Sequence, residues 1–434
     1  MPEPGPWWRR LGKGPRFMHY HRLAALVLVI NVVVAVRSVG AGWWSSDGVD
    51  LAAVSNVVLA NIALAVLIRQ QYVINLLFRL ATMAPTSWPL RVRWTLGKVY
   101  HFGGLHVGGA IAGTAWYAAF VAALGFHLSR GLDGATVPLV ALTVAVLVLL
   151  VAMVVTAWPS LRARLHDRFE RTHRFGGWAV LALFWVQTVL VAADAGNGGV
   201  LANLTTSVAF WTLIVLTTSV ALPWLRLRKV PVEITTPSSH VALTRFDHGV
   251  TPFAGSSTAV SRSPLMEWHS FANVPSPGED GFRLTISRAG DWTGSLIDDT
   301  PSHLWVKGIP TAGVANIEVL FTKVVYVATG SGIGPCLPHL LAGEVPSHLV
   351  WATRNPRRTY GDELVDEILA VQPDAEIWDT DAHGKPDLVA LAHEACVAHG
   401  AEAAICISNK KVTWQVVEGL EVRGIPAYGA IWDS

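Results

Sequence analysis

The spacing of apolar residues divides this chain of 434 residues into two halves. Residues 1–229 hold long, nearly unbroken apolar runs, whereas residues 230–434 alternate short apolar runs with polar and turn-forming segments. Most of the long runs reach the roughly 20 residues that an α-helix needs to cross a bilayer. The runs lie near 20–37, 50–69, 98–126, 134–158, 174–194 and 199–224. This pattern predicts a membrane six-helix bundle over residues 1–229.

Positive charges gather in the connections on one side of this predicted bundle. Eighteen Lys and Arg residues lie in the leader, the second and fourth connections and the exit, against Arg37 and Arg130 on the other side. In membrane proteins the cytoplasmic loops carry the excess of Lys and Arg. We therefore expect an integral, multi-pass protein of the plasma or inner membrane, surrounded by the lipid bilayer, with both termini in the cytoplasm. Residues 70–83 and 88–96 are expected to form amphipathic helices along the inner surface.

The second half shows two further patterns, which place domain boundaries at 1–229, 230–320 and 321–434. Residues 230–320 are rich in short β-branched runs broken by Pro, Gly and Ser, which is typical of an antiparallel β-barrel. From 323 onward strands and helices alternate, which predicts an α/β doubly wound sheet. The strands are expected near 323–328, 348–353, 375–379, 402–407 and 426–431, and the helices near 335–343, 361–370, 386–399 and 410–423.

The first of these strands runs into a glycine turn that opens a helix. Such a turn brings backbone N–H groups up to a pyrophosphate, with the positive end of the helix dipole behind them. A Gly-x-Gly turn alone is weak evidence, but this one lies between a barrel-like segment and an alternating α/β run. The residues assigned to dinucleotide binding here are Thr329, Gly330, Ser331, Gly332, Ile333, Gly334 and Pro335.

Composition excludes several function classes. The chain is 52% hydrophobic and 15% charged, with a formal net charge of +2. Because the arginines follow the predicted topology, we expect no nucleic-acid partner. The cysteines, Cys336, Cys396 and Cys406, have no paired spacing, which argues against a disulfide framework and a zinc site.

Histidines near the cytoplasmic ends of the third and fifth runs raise the question of a metal. One hypothesis makes His106 and His173 the axial ligands of one haem b near the inner leaflet. Neighbouring glycines would then let the flat macrocycle approach the backbone; they are Gly103, Gly109, Gly176 and Gly177. The alternative is a tight bundle in which the histidines make polar contacts and the glycines serve helix packing. No outer haem is expected, because its positions hold Ala119, Phe120, Val186 and Gln187.

Three segments of the second half carry a resemblance to a known family. They are Glu267-Trp-His-Ser-Phe-Ala-Asn273, Arg288-Ala-Gly-Asp-Trp-Thr293 and Gly330-Ser-Gly-Ile-Gly-Pro335. With them the chain resembles membrane members of the ferredoxin–NADP reductase superfamily, the group that holds ferric reductases and NADPH oxidases. It looks closest to TmpA-like membrane flavoproteins, which also occur fused to adenylate-forming enzymes. The resemblance implies electron transfer from NADPH through FAD, directly or through one haem b, to an unidentified membrane or cytoplasmic acceptor.

The resemblance also assigns individual residues. On the flavin side these are Trp268, His269, Ser270, Phe271, Arg288, Gly290, Asp291, Trp292 and Thr293. Three arginines, Arg354, Arg357 and Arg358, would bind the ribose 2′-phosphate, and Tyr360 would stack on adenine, which favours NADPH over NADH. The catalytic assignments are Trp432, which would shield the flavin face until nicotinamide displaces it, and Cys406, which lies where relatives have Cys-Gly-Pro. A small buried hydrophobe is the alternative for Cys406.

Two departures from the family pattern leave other functions open. Ala272 stands where relatives hydrogen-bond flavin N5, and residues 307–313 replace the usual flavin loop. A second hypothesis is therefore a catalytically weak flavin- and nucleotide-binding redox sensor or signalling scaffold. A third is a six-span transporter with a regulatory nucleotide domain, although the sequence shows no internal repeat and no interrupted helix pair.

Overall fold

The computed structural model describes residues 17–195, 199–276 and 278–429, together with residues 3, 12 and 14. The predicted catalytic residue Trp432 therefore lies outside the described residues. The helices of the first half are α1 (His19–Gly40), α2 (Leu51–Leu67), α3 (Gln71–Thr82), α4 (Leu90–Leu96), α5 (Gly103–Arg130), α6 (Val137–Thr156), α7 (Pro159–Arg164), α8 (His166–Asp194), α9 (Val200–Thr206) and α10 (Val208–Ala221). A short hairpin, β1 (Trp44–Ser45) and β2 (Gly48–Val49), joins α1 to α2.

Within the described residues, five helical stretches are long and apolar enough to cross a membrane. They are His19–Gly40, Leu90–Arg130, Val137–Thr156, Arg168–Asp194 and Val208–Arg226. A sixth span requires α2 and α3 to count together, although the chain bends by 76° between them. The outer face of α1 is apolar and exposed: Val32, Val36 and Val39 are each more than 60% accessible. Uncovered apolar faces of this kind are typical of a surface that meets lipid or another protein.

Helix α5 passes through the middle of the bundle and packs closely on α1 and α2. A Cβ on Gly108 would lie 2.9 Å from the Ala24 carbonyl oxygen, and one on Gly109 would lie 2.8 Å from the Asn61 carbonyl oxygen. Small residues let helix backbones approach one another in this way. These glycines therefore serve helix packing.

The second half begins with a six-stranded antiparallel sheet. Its strands are β3 (Arg228–Ser238), β4 (Val241–Phe246), β5 (Ser256–Ser261), β6 (His269–Ala272), β7 (Phe282–Ser287) and β8 (His303–Ala312), with α11 (Asp291–Asp299) after β7. The strand order is β6-β5-β8-β3-β4-β7, so β6 and β7 are the two ends. Next to them a single bridge pairs Val274 with Arg283. The predicted β-barrel is therefore not closed: no ladder of hydrogen bonds joins the two end strands of the described sheet.

A five-stranded parallel sheet follows. Its strands are β9 (Val324–Thr329), β10 (Ser347–Thr353), β11 (Glu376–Asp379), β12 (Ala403–Ile407) and β13 (Ala427–Tyr428). Its helices are α12 (Ile333–Ala342), α13 (Pro356–Tyr360), α14 (Asp362–Val371), α15 (Thr380–His383), α16 (Leu388–Ala398) and α17 (Lys410–Glu421). The order β11-β10-β9-β12-β13 confirms the predicted doubly wound arrangement, with its switch point between β9 and β12.

The connection from α2 to α5 docks on the sheets of the second half. Gln71 exchanges hydrogen bonds with the backbone of Ile309, and Asn75 does the same with Pro310 and Ala312, so α3 lies along β8. Apolar residues of α3 belong to the same buried core as β9. Helices are thus present in both segments, as Gln71–Thr82 and Leu90–Leu96, and both contact the second half of the chain.

A partly buried ion pair reinforces this junction. The Arg93 guanidinium on α4 makes paired hydrogen bonds of 2.7 and 3.0 Å to the Glu402 carboxylate, just before β12. It also donates to the carbonyl oxygens of Leu320 and Trp88. Two parallel N–H···O bonds give an arginine–carboxylate pair both strength and orientation. The first half is therefore fixed in orientation against the parallel sheet.

Candidate functional site

The glycine turn lies at the carboxyl end of β9, at the edge where open α/β sheets bind ligands. Residues Gly330–Gly332 form one tight turn between β9 and α12. Gly330 has φ +50°, a conformation that costs little only for glycine. A Cβ on Gly332 would lie 2.0 Å from the Ile407 carbonyl oxygen, so the turn rests directly on β12. The Trp351 indole donates to the Gly330 carbonyl oxygen at 2.9 Å and holds the turn from the other side.

Two hydroxyl groups meet at the switch point beside this turn. Thr329 at the end of β9 and Ser408 after β12 are hydrogen-bonded through their side chains. Asn409 follows and caps α17 by accepting from the Val412 N–H. Sequence reasoning assigned Thr329 but missed Ser408. Its position directly after a strand and before an Asn-capped helix was the signal that could have found it.

The predicted flavin segment forms an aromatic stack at one end of the six-stranded sheet. The ring centroids of His269 and Trp292 are 4.2 Å apart, with 28° between their planes. Phe271 is 6.0 Å from the same indole, at 22°. The structure thus brings together predicted residues from β6 and α11, although they are about 20 positions apart in the chain.

A carboxylate that received no role in the sequence analysis holds this stack in place. Glu267 accepts hydrogen bonds from the Trp292 indole, the Ser261 hydroxyl and the backbone N–H groups of Arg262 and Ser263. Four donors to one oxygen fix the loop before β6 and the angle of the indole. A hydrogen-bond network of this kind makes the aromatic face rigid.

The residues Arg288, Gly290, Asp291 and Thr293, assigned to the flavin side, lie at the start of α11. Thr293 accepts from the N–H groups of Ala289 and Gly290, and a Cβ on Gly290 would meet nothing within 4 Å. Arg288 lies beside this turn, but its guanidinium donates to both Asp298 oxygens, at 3.0 and 2.5 Å. A phosphate at this point would therefore compete with Asp298 for the arginine. Asp291 forms the first turn of α11.

The two sides of the site meet at α12. A Cβ on Gly334 would lie 3.3 Å from the Thr285 side chain on β7, so the first turn of α12 packs on the six-stranded sheet. Ile333 is fully buried there, and Pro335 continues the helix behind it. Because α12 begins at the glycine turn, its positive end is directed toward the junction of the two sheets. This arrangement can hold a dinucleotide on one side and a flat ring on the other.

Trp268 and Ser270 of the predicted flavin segment do not join the aromatic stack. Ser270 is exposed on β6, opposite Ala259. Trp268 packs instead edge to face on Trp224, with 6.1 Å between the ring centroids, and the Lys307 ammonium lies 4.1 and 4.3 Å from the two centroids. Burial lowers the pKa of Lys307 to about 7, and the nearby Arg174 adds to the effect. This lysine links the six-stranded sheet to the exit from the helical half.

The three arginines assigned to the ribose 2′-phosphate differ in their ion pairs and in their exposure to solvent. Arg357 is ion-paired with Asp362 and Asp366. Arg354 contacts Asp381 at 3.1 Å but remains 81% exposed. Arg358 is exposed and, among the residues that the structure describes, makes no ion pair. The three side chains therefore differ in the number of ion pairs they make: none for Arg358 among the described residues, one for Arg354 and two for Arg357.

Two assigned residues are buried in ways that their predicted roles do not allow. The Tyr360 ring is 1% exposed and packs on Trp351, so it offers no free face to adenine. Cys406 is also 1% exposed, inside β12, and burial raises its thiol pKa to about 12. The thiolate is the reactive form of cysteine. Adenine stacking by Tyr360 and catalysis by Cys406 are therefore corrected: both side chains are core residues here.

The structure brings the two predicted haem ligands together. The rings of His106 and His173 are 6.0 Å apart, and His106 Nδ1 bonds the Ala65 carbonyl oxygen at 2.8 Å. Two of the four neighbouring glycines pack on other helices: a Cβ on Gly103 would lie 3.1 Å from the Tyr20 ring, and one on Gly109 would lie 2.8 Å from the Asn61 carbonyl oxygen. Gly176 and Gly177 meet only the Met153 side chain, at 3.3 and 3.8 Å, so the helix-packing alternative accounts for Gly103 and Gly109.

Known proteins resemble this chain in sequence. Residues 314–434 match the family described as the C-terminal domain of adenylate-forming reductase 03009. Over 421 residues the chain is 44% identical to adenylate-forming reductase 03009 of Coprinopsis cinerea, covering 96% of this chain and 40% of that protein. Adenylate-forming reductase 06235 of the same fungus is 42% identical over 423 residues, with the same coverage. The chain thus spans about 40% of the length of these curated relatives.

Solved structures resemble it more distantly. A ferredoxin NADP+ reductase from Neisseria gonorrhoeae with bound FAD and NADP has a TM-score of 0.40 at 13% identity, covering 47% of this chain and 98% of that one. A flavohemoglobin from Malassezia yamatoensis with bound FAD and heme has a TM-score of 0.42 at 16% identity, covering 68% and 85%. The chain is thus 42–44% identical over its matched length to proteins named reductases and only distantly similar to these solved structures.

Proposed function

We propose that this protein is a membrane flavoprotein oxidoreductase that takes electrons from NADPH through FAD to an acceptor at the membrane. The observation that carries the proposal is the meeting of the glycine turn with the six-stranded sheet. The turn at Gly330–Gly332 provides a pyrophosphate site at the switch point, and the stack of His269, Phe271 and Trp292 provides a flat aromatic surface on the other sheet.

Each part of the site has a physical task in this proposal. FAD, when bound, supplies the conversion of a two-electron hydride into single electrons. The N–H groups at the start of α12 bind the nicotinamide-dinucleotide pyrophosphate. Arg358 and Arg354 attract the ribose 2′-phosphate, which selects NADPH over NADH. The cap at Gly290 and the open space beside it admit the flavin pyrophosphate close to the backbone.

Several observations support a membrane location. The five long apolar stretches, the exposed valines of α1 and the Lys and Arg bias of the connections all agree with it. In this arrangement the sheets lie on the cytoplasmic side, attached through α3 and α4. No step of the proposal requires a haem.

The curated relatives suggest the wider setting. They are named adenylate-forming reductases, and this chain matches about 40% of their length. Their name joins two activities, and the sheets described here fit the reductase part. We infer that this chain is the counterpart of that part and that adenylate formation lies in the unmatched portion of the relatives.

The test uses the full chain purified in detergent or in lipid nanodiscs. After reconstitution with FAD, we expect flavin absorption bands, bleaching on anaerobic addition of NADPH, and steady NADPH oxidation with ferricyanide as artificial acceptor. Protein that never retains flavin would refute the proposal. Protein that binds flavin and NADPH without turnover would favour the redox-sensor alternative, in line with Ala272 at the N5 position.

A further inference from the structure

One face of α3 carries a stripe of large apolar side chains that are exposed to solvent. The stripe consists of Tyr72, Leu76, Leu80 and Met83, which are 46, 53, 56 and 70% exposed. Met83 directly follows the helix and keeps a helical backbone. With 3.6 residues per turn, the four positions fall within roughly 80° of one another around the helix axis. They therefore form a single face, which we call the α3 stripe.

The opposite face of the same helix is docked on the second half of the chain. Gln71 and Asn75 bond the backbone of β8, and Ile74 and Phe78 are buried in the core that contains β9. By the same helical geometry these four residues are centred roughly 150° from the α3 stripe. The stripe therefore faces away from the sheets, and its partner must be something else.

A groove of about 300 Å³ adjoins the stripe where α3 begins. It lies between the end of α2, the start of α3 and the second half of α10, and its accessible surface is almost entirely apolar. The apolar lining residues are Leu67, Tyr72, Ile214, Val215 and Leu222. The Gln70 side chain at its edge is already bonded within the protein, to the Ser219 carbonyl oxygen at 2.7 Å and the Tyr72 N–H at 3.1 Å. The groove therefore favours an apolar occupant.

The position of the stripe and the groove points to lipid as the partner. Helix α10 belongs to the stretch Val208–Arg226, which is long and apolar enough to cross a bilayer, and α3 is bent by 76° from α2. A helix that lies across the direction of the bundle can place its apolar face at the boundary between lipid headgroups and acyl chains. Arg79 beside the stripe and Trp88 after it are exposed, and both residue types are favourable at that boundary.

We propose that the α3 stripe lies on the cytoplasmic leaflet of a bilayer and that the groove beside it binds one phospholipid acyl chain. The inference rests on the membrane location proposed above, and it names the lipid contact that holds the two sheets at the membrane surface. In this arrangement α3 lies in the membrane plane and is not the second half of a broken span. Acyl chains cover the stripe, and Arg79 attracts anionic headgroups.

The first experiment measures the depth of single positions in the bilayer. Leu76→Cys and Leu80→Cys are labelled with bimane in lipid nanodiscs that contain the full chain, and brominated phospholipids quench the label; the native cysteines are buried. The reference for a spanning helix is Val148→Cys, because Val148 is 62% exposed in the middle of α6. The reference for water is Val397→Cys, because Val397 is 66% exposed on α16.

We expect both α3 labels to be quenched most by bromines near the headgroups and to equal extents, and the Val148 label to be quenched most by bromines near the chain ends. A label deeper at Leu80 than at Leu76 would indicate a span and overturn the inference. Quenching as low as at Val397 would mean that water or another protein covers the stripe, and would also overturn it. An unquenched label at Val148 would refute the membrane location itself, which distinguishes that failure from the failure of this inference.

A second experiment tests the groove. Val215→Trp fills it from the α10 side, whereas Val208→Trp places the same indole on an exposed position of α10 outside the groove. Native mass spectrometry after detergent exchange counts the phospholipids that stay bound. We expect the wild type and Val208→Trp to retain one phospholipid that Val215→Trp loses, with similar melting temperatures for all three. Equal retention in both variants, or none in the wild type, would overturn the assignment of the groove.

Discussion

Gly332→Ala places a methyl group against the backbone of β12. The new Cβ would lie 2.0 Å from the Ile407 carbonyl oxygen and 2.9 Å from its carbonyl carbon. Ordinary carbon contacts are about 3.5–4.0 Å, so the turn must move by roughly 1 Å or more. Neither neighbour is a flexible side chain, because both belong to strand backbone.

The magnitude follows from this geometry. Overpacking a well-packed site costs typically about 1–3 kcal/mol, and a clash between two backbones belongs at the upper end. If the turn escapes the clash by moving away from β12, its N–H groups leave the pyrophosphate position. A loss of about 3 kcal/mol in binding free energy corresponds to roughly a 100-fold weaker affinity for NADPH.

Two further glycines provide a graded control series. Gly334→Ala meets the Thr285 side chain at 3.3 Å, so we expect a loss of only a few-fold in affinity. Gly343→Ala, at the end of α12, meets nothing within 4 Å but has φ +60°, so it should lower stability by about 1–2 kcal/mol without affecting NADPH binding. Calorimetric titration of each flavin-loaded variant with NADPH measures the affinities. Wild-type affinity in Gly332→Ala would refute the assignment of this turn.

Three further predictions concern stability and flavin retention. Hydrogen bonds from Arg93 lower the pKa of Glu402 to about 2, so the stabilisation from its charge is present above about pH 4.5 and lost as the pH falls toward 2. Glu402→Gln should lower the melting temperature at pH 7 by an amount equivalent to about 1–3 kcal/mol and weaken the fall of the melting temperature at acid pH. An unchanged melting temperature would contradict this role. Burial lowers the pKa of Lys307 from 10.5 to about 7, so between these pH values the unfolded chain binds more protons and stability should rise from pH 7 to pH 9. Lys307→Met should remove that rise. If the rise persists in melting temperatures measured over a pH series of this variant, Lys307 is not its cause. Trp292→Leu should weaken FAD retention about tenfold or more, because it removes the centre of the aromatic stack. The measurement is the flavin fluorescence released on dilution, and Trp378→Leu, which is remote from the stack, should retain flavin like the wild type.

Helices and strands with a clear periodicity of apolar residues were predictable from the sequence. The strand expected near 348–353 is Ser347–Thr353, and the helix expected near 410–423 is Lys410–Glu421. The glycine turn was also predictable, because a φ of +50° at position 330 favours glycine, and glycine stands there in the sequence. Local chemistry determines such features, and a single sequence records local chemistry directly.

Features that depend on distant partners were not predictable. Tyr360 is buried because it packs on Trp351 of β10, and the Arg288 guanidinium is occupied because it bonds the Asp298 carboxylate on α11. The alternation of residues 230–320 indicated the strand faces but not whether β6 and β7 pair. The docking of α3 on β8 could not be predicted for the same reason, because the sequence of an amphipathic helix indicates an apolar face but not which element packs against it.

The bend between α2 and α3 has a mechanical consequence. Leu51–Leu67 has the direction of the bundle, whereas Gln71–Thr82 turns by 76° and is fastened to β8 through Gln71 and Asn75. Residues Ile74 and Phe78 on the same helix are packed inside the core that contains β9. If the helical half spans a bilayer, as proposed, a change in bilayer thickness that tilts α2 would shift α3 and, through it, the strands that α3 contacts. Under the proposed function, lipid composition would then affect the rate of electron transfer.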